Sequence, residues 1–244
     1  MRDYALELQN RIRFIRGCLA SSNAQGIVYG NSGGKDSALV GILCKLAWEN
    51  TVGLIMPCRS QRSYEQDRRD AEEVAKAFNI ETRVVDLQPT LSALETALGT
   101  VTSPTELALV NIAPRLRMAT LYAVAASENR LVAGTGNRSE AYMGYFTKWG
   151  DGACDFNPIG DLTVTEIYEF LRFLKAPAVI LEKAPSAGLY DGQTDEGEMG
   201  ISYEHIDTFL LGGSVTEAEL AIIERYHRAS EHKRRLPLVY GGRP

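Results

Sequence analysis

The passage from Gly26 to Glu49 constrains this chain more than any other. Gly26-Ile27-Val28-Tyr29 is a short apolar run that ends at Gly30. The octet Gly30-Asn31-Ser32-Gly33-Gly34-Lys35-Asp36-Ser37 then leads into a helical pattern from Ser37 to Glu49. An unbroken apolar run reads as a strand buried on both faces. A buried strand, a glycine-rich turn and a helix in that order open a strand–helix–strand unit. The rest of the chain repeats the theme. Thr51–Met56, Glu81–Leu87 and Leu131–Ala133 read as strands. Residues 4–20, Glu65 to Phe78, Leu91–Leu98 and Ala108 to Ser127 read as helices. The last of these is apolar enough to be largely buried, with Pro114 near its start. This alternation predicts an α/β fold, an open parallel sheet flanked by helices on both faces and Rossmann-like in plan. Such sheets bind ligands beyond the C-terminal ends of their strands. The loops Gly30–Asp36 and Gly134–Glu140 both leave strands at that edge.

Beyond the last strand the pattern changes. Tyr142 to Gly160 mixes aromatic and charged residues without period and reads as a functional loop. Thr163-Val-Thr-Glu166 fits a capping box opening a helix over 165–174. Pro185 to Met199 is a second loop. Helices are expected over Tyr203–Leu210 and Thr216–Arg235. No repeat or linker divides the 244 residues, so one domain is expected. A formal charge of −5 disfavours nucleic-acid partners. The four cysteines, Cys18, Cys44, Cys58 and Cys154, form no CxxC pair and read as free, packing thiols. No apolar run approaches the roughly 18 residues of a membrane span, so a soluble, cytoplasmic protein is expected.

The octet carries the chemistry. It is not a Walker A loop: three residues, not four, separate Gly30 from Gly34, and Asp36 follows Lys35. Gly33 and Gly34 let the backbone approach phosphate oxygens closely and adopt positive φ. Successive N–H groups at a helix start form an anion nest, and Ser32 and Ser37 add hydroxyl donors. Asp36 would repel phosphate unless a cation lay between them, which implies Mg²⁺. The octet resembles SGGxDS, the pyrophosphate loop of enzymes that cleave ATP to AMP and pyrophosphate.

Downstream segments narrow the class. Gly134-Thr-Gly-Asn-Arg-Ser-Glu140, Tyr145-Phe-Thr-Lys-Trp-Gly-Asp-Gly152, Asp155, Pro158-Ile159-Gly160, Ala184-Pro-Ser-Ala-Gly-Leu189, Gly192-Gln-Thr-Asp-Glu196 and Gly200-Ile-Ser-Tyr203 follow one another in order. Together with the octet they resemble the NAD⁺ synthetase family over nearly the whole chain. The resemblance implies an adenine-nucleotide α-hydrolase-like fold and a two-step reaction. ATP adenylates the nicotinate carboxylate of deamido-NAD⁺, and ammonia displaces AMP. It implies ATP contacts at Gly30, Asn31, Ser32, Gly33, Gly34, Lys35, Asp36, Ser37, Thr135 and Ser186, and Mg²⁺ ligands at Asp36 and Glu140. Deamido-NAD⁺ contacts are implied at Arg115, Lys148, Asp155, His232 and Lys233. Asp36, Lys148 and Glu140 are the expected catalytic set. The resemblance also implies a homodimer, with 108–127 as a candidate interface.

Larger relatives carry a glutamine amidase domain. None is expected here, so free ammonia is the expected donor; a separate glutamine-hydrolysing partner stays open. One departure stands out: Val164 occupies a position where the family usually has an ATP-contacting lysine, and Lys35, Lys175 and Lys183 are the candidate substitutes. The nicotinate ring is expected to meet Tyr145 and Phe146. Blander readings stand beside these. Glu140 reads equally as a surface carboxylate, Arg115 as a solvated helix residue and Lys148–Asp155 as a loop ion pair. His232 and Lys233 read equally as charges favoured by a helix end. The competing functions are a GMP synthetase-like or tRNA-modifying enzyme sharing the loop, and a non-catalytic nucleotide-sensing module.

Overall fold

A computed structural model of the protein describes residues 2–58, 62–183 and 194–241. In chain order its elements are α1 (Tyr4–Ser22), β1 (Gly26–Gly30), α2 (Lys35–Ala47), β2 (Thr51–Ile55), α3 (Arg62–Ala77), β3 (Glu81–Val84), α4 (Gln88–Gly99), α5 (Glu106–Val110) and α6 (Ile112–Glu128). They continue with β4 (Arg130–Ala133), α7 (Arg138–Met143), α8 (Val164–Phe173), α9 (Ala178–Leu181), α10 (Asp195–Met199), α11 (Tyr203–Leu210), α12 (Glu217–Ala229) and α13 (Glu231–Arg234). The four strands form one parallel sheet in the order β3-β2-β1-β4.

Alternation along β1 assigns its side chains to two cores. Ile27 and Tyr29 join a cluster with Ile15 and Leu19 of α1, Leu39, Ile42 and Leu43 of α2, and Ile167 and Phe170 of α8. Val28 faces the opposite way, toward Val52, Leu54, Leu91, Met118, Leu121 and Val132. Helices therefore cover both faces of the sheet, as the sequence predicts. A third cluster, around Met143, Val164, Met199, Tyr203, Ile206 and Ile223, binds α7, α8, α11 and α12 to one another. Cys44 and Cys58 are buried and Cys18 and Cys154 half-buried, with no disulfide between them.

Two expected helices are broken, one by a local constraint and one by a tertiary contact. The segment 108–127 divides into α5 and α6 at Asn111. Pro114 has no N–H to offer the Val110 carbonyl and its ring crowds that carbonyl, so a continuous helix is blocked one turn upstream. Burial along α6 is confined to one stripe, Ala113, Pro114, Met118, Leu121 and Ala125. The segment 216–235 breaks at Ser230. The buried Ser230 hydroxyl donates to the carbonyl oxygens of Tyr226 (2.7 Å) and Met143 (3.3 Å). It packs so tightly on Gly144 that a Cβ there would lie 2.0 Å from that of Ser230. The capping box at Thr163 and Glu166 is present as expected, and α8 begins at Val164.

Charged side chains fasten the outer pieces. The buried Arg11 donates to Asp161 (2.7 and 3.0 Å) and to the Pro158 carbonyl, and Arg2 bridges Asp161 and Glu166. The octet after β1 is held against α3. Gly33 has φ +72°, and a Cβ on it would fall 2.1 Å from the Asp67 carbonyl oxygen. Lys183 completes this contact, its Nζ donating to the Gly33 carbonyl (3.0 Å), Asp67 Oδ1 (2.6 Å) and Asp70 Oδ2 (2.7 Å). Burial opposes the Lys183 charge, but the two carboxylates hold its pKa above the ordinary lysine value.

Gly33→Ala is expected to destabilise the fold by at least about 2 kcal/mol, since left-handed strain adds to the clash. Thermal denaturation reads this as a fall in Tm of roughly 4–8 °C for a chain of this size. Gly17→Ala is the control. Gly17 is exposed within α1 with nothing near its Cβ position, so the change should raise stability by about 0.5–1 kcal/mol. Lys183→Met leaves the buried Asp70 with one fewer donor and is expected to cost about 2–3 kcal/mol in urea denaturation.

Candidate active site

In the strand order β3-β2-β1-β4 the chain runs from β1 toward β3 on one side and returns to β4 on the other. The loops after β1 and β4 therefore diverge at a switch point, where a crevice opens beyond the strand ends. The 30–37 octet and residues 134–140 meet in that crevice.

The octet is organised by its own side chains. The Asn31 N–H donates to the Leu54 carbonyl and its buried side chain donates to the Ala71 carbonyl (3.2 Å), which fixes the turn as it leaves the sheet. Ser32 and Ser37 share a hydroxyl–hydroxyl hydrogen bond (3.0 Å). Ser32 Oγ also accepts from the Gly34 N–H (3.3 Å). Gly34 is the N-cap of α2 and supplies no side-chain cap. The first N–H groups of this 13-residue helix are thus presented at the crevice, with the positive end of its dipole. Gly30 ends β1, with Met56 and Leu121 packed near it. Thr135 is half-buried on the loop after β4. Ser186 lies outside the described residues.

Two carboxylates converge here from different strands. Asp36 stands in the first turn of α2, and its Oδ1 accepts from Asn137 Nδ2 (3.1 Å). Glu140 stands in the first turn of α7 and forms a reciprocal capping box with Asn137. The cap that starts α7 therefore aims Glu140, while the same asparagine orients Asp36. Lys35 completes the group. Its ammonium is 2.7 Å from Asp36 Oδ2 and 3.9 Å from Glu140 Oε1, with the Tyr203 ring 5.6 Å away. Burial, and after it the charge of Asp36, push the Glu140 carboxyl well above the usual carboxylate range; Lys35 pulls it the other way. Burial works against the Lys35 ammonium, yet Asp36 and Glu140 hold its pKa above the ordinary lysine value. Nearby, the Tyr203 hydroxyl donates to the buried Asp195 (3.1 Å). Half-buried carboxylates of like charge, converging on a single cation, suit a hard divalent ion, so Asp36 and Glu140 fit Mg²⁺.

The remaining expected residues gather around 144–152. Arg115 Nε donates to the Lys148 carbonyl (3.3 Å), and Lys148 Nζ donates to the His232 carbonyl (2.6 Å) and lies 5.4 Å from the Trp149 ring. Lys233 Nζ donates to the carbonyls of Gly144 (2.9 Å) and Phe146 (2.8 Å). Burial pushes the Lys233 pKa below the ordinary lysine value. Phe146 packs under Lys233 and against Gly152, while the Tyr145 hydroxyl donates to Glu198. Asp155 faces β4 rather than Lys148: it accepts from the Val132 N–H (2.7 Å) and the Tyr122 hydroxyl (3.3 Å). Arg115, Lys148, His232 and Lys233 thus form one group, and Asp155 braces the sheet edge.

Asn137, Asp195 and Tyr203 lie within motifs visible in the sequence, yet no role was expected of them. The spacing of Asn137 and Glu140 is itself a capping-box signal. The lysine substitutes for Val164 also resolve. Val164 is buried in the apolar cluster beside Tyr203. Lys183 is committed to α3, and Lys175 is exposed beyond the far end of α8. Lys35 is the candidate beside the Val164 cluster.

The NAD synthase family model matches residues 7–237. The NH₃-dependent NAD⁺ synthetase of Carboxydothermus hydrogenoformans is 49% identical over 231 residues, covering 93% of this chain and 94% of that protein. A solved NMN synthetase from Francisella tularensis superposes with a TM-score of 0.92 at 39% identity, covering 98% of this chain and 99% of that one. The NH₃-dependent NAD synthetase from Campylobacter jejuni, solved with nitrate, superposes with a TM-score of 0.81 at 32% identity over 98% and 99% of the two chains. With a nucleotide-type nest at the switch point and relatives matched end to end, this chain belongs to the NAD synthase family.

Proposed function

We propose that the protein amidates the nicotinate carboxylate of deamido-NAD⁺ at the expense of ATP, as a ligase forming a C–N bond. The observation that carries this reading is the convergence of Asp36 and Glu140 beside the open N-terminus of α2. A carboxylate has no good leaving group, so it must be activated before ammonia can displace anything. The polyphosphate lies along the 30–37 turn, with Thr135 and Ser186 contributing hydroxyls. The nicotinate carboxylate oxygen attacks the α-phosphorus, the bond to the bridging oxygen breaks, and pyrophosphate leaves toward the α2 nest. Ammonia then attacks the acyl carbon, the bond to AMP breaks, and the nitrogen sheds a proton. Mg²⁺ held by Asp36 and Glu140 would neutralise charge on the phosphates.

Arg115 and Lys148, joined through the Lys148 carbonyl, hold the anionic dinucleotide, Lys148 serving the reacting carboxylate. Lys233 and His232 act by shaping the 144–148 backbone, and Asp155 by bracing the strand beneath it. We read ammonia as the direct donor and 1–244 as a single synthetase domain. The exposed Leu107 of α5, which packs on α6, supports a homodimer built on that face. Among the described residues no helix is long and apolar enough to cross a membrane, which accords with a cytoplasmic location. A second reading has its own support. The Francisella tularensis structure at TM-score 0.92 is an NMN synthetase, so the same chemistry on nicotinate mononucleotide is the alternative.

Three measurements test this. Incubation with ATP, Mg²⁺ and ammonium is expected to yield NAD⁺ from deamido-NAD⁺, read by a coupled dehydrogenase, with kcat/KM above that for the mononucleotide. A tenfold preference for the mononucleotide favours the second reading, and AMP release dependent on neither substrate ends both. Asp36→Asn is expected to lower kcat/KM at least about a hundredfold in a protein that remains folded by circular dichroism. Sedimentation at micromolar concentration should give a dimer; a lone monomer contradicts that part.

A further inference from the structure

Lys35 occupies an unusual place. It is 7% exposed, yet its ammonium is spent on no surface partner: it lies between the two carboxylates assigned to the metal, 2.7 Å from one and 3.9 Å from the other. A lysine ammonium and a divalent cation repel strongly at such separations in a buried site, so the two cannot share the pair. Lys35 also belongs to the turn that receives the phosphates. The face beside it, where α8 contributes Val164 and packs against Tyr203, carries an apolar side chain. Lys183 is tied to Asp67 and Asp70. Lys35 is therefore the lysine placed to serve both the carboxylates and the phosphates, and its flexible stem allows the exchange.

We propose that Lys35 is a resident counter-ion: it compensates Asp36, with Glu140 3.9 Å away, until the nucleotide arrives, then turns to the phosphates and yields the carboxylates to the divalent ion. The metal then enters with the nucleotide rather than before it. This rests on the assignment of Asp36 and Glu140 as the metal pair.

The test uses Mn²⁺ as the probe, with binding to the full chain followed by electron paramagnetic resonance. Without nucleotide, the wild-type protein should bind Mn²⁺ weakly, and Lys35→Met should bind it at least about tenfold more tightly. Adding Asp36→Asn to Lys35→Met should abolish the gain. The same Lys35→Met variant should bind a non-hydrolysable ATP analogue at least about tenfold more weakly than wild type. Lys35→Gln serves if the methionine variant fails to fold. Equal Mn²⁺ affinity for the wild-type and lysine-free proteins overturns the proposal. So does tight, micromolar Mn²⁺ binding by the nucleotide-free wild type, which needs no variant. A separate arm checks the assignment beneath it: water-proton relaxation enhancement by the Mn²⁺–analogue complex on wild type should be lost in Asp36→Asn. If it is not, the metal pair is misassigned, and the proposal falls with it.

Discussion

The site depends on the contact between the Gly33 backbone and α3. A glycine-rich turn has many conformations open to it in isolation, and an anion nest exists only when its N–H groups point one way. Here the choice is imposed from outside. Gly33 fits against the Asp67 carbonyl where no Cβ could, and Lys183 ties that glycine's own carbonyl to two aspartates of α3. Asn31 secures the other end of the turn to the sheet and to Ala71. The turn is thus clamped at both ends before any ligand arrives, and ordering it adds little to the cost of binding.

The second organising constraint is topological. Asp36 follows β1 and Glu140 follows β4, about a hundred residues later, and they meet only because those strands are neighbours. Asn137 joins the two sides, capping α7 with its oxygen and holding Asp36 with its nitrogen. Farther along, the buried Ser139 hydroxyl donates to Asp207 (2.5 Å), whose other oxygen accepts from the Thr165 N–H (2.7 Å). This chain of hydrogen bonds fixes α7, α8 and α11 relative to the sheet. Buried polar networks of this kind are stable only when each member is satisfied.

Much of this was legible in the sequence, and unevenly so. The sheet announced itself because β1 and β2 are nearly unbroken apolar runs, and both site loops could be placed at its edge. The octet stood out through its residue types at fixed spacing, and Glu140 only through the resemblance to the family. What escaped notice was how particular residues act on backbone beyond their own position, one locally and the rest through tertiary contacts. The break before α6 follows from Pro114 acting one turn upstream, and the break at Ser230 follows from a contact with Gly144. Lys233 carries a positive charge that suggests a phosphate partner, but its hydrogen bonds go to main-chain carbonyls. The resemblance implied a substrate contact for Asp155 and the blander reading an ion pair with Lys148, whereas its carboxylate accepts from Val132 and Tyr122. No one-dimensional pattern reports which way such side chains turn.

The manner in which the 141–148 segment is held has an evolutionary consequence. Lys233 and Arg234 grip Ala141, Tyr142, Gly144 and Phe146 through their carbonyl oxygens, and Arg115 does the same at Lys148. A clamp that reads only the peptide groups is indifferent to what those residues carry. Met143, Gly144 and Phe146 are constrained further by their own packing, but positions without such contacts answer only to the clamp. Over a lineage, exchanges at positions that pack against nothing else would leave the segment's course unchanged.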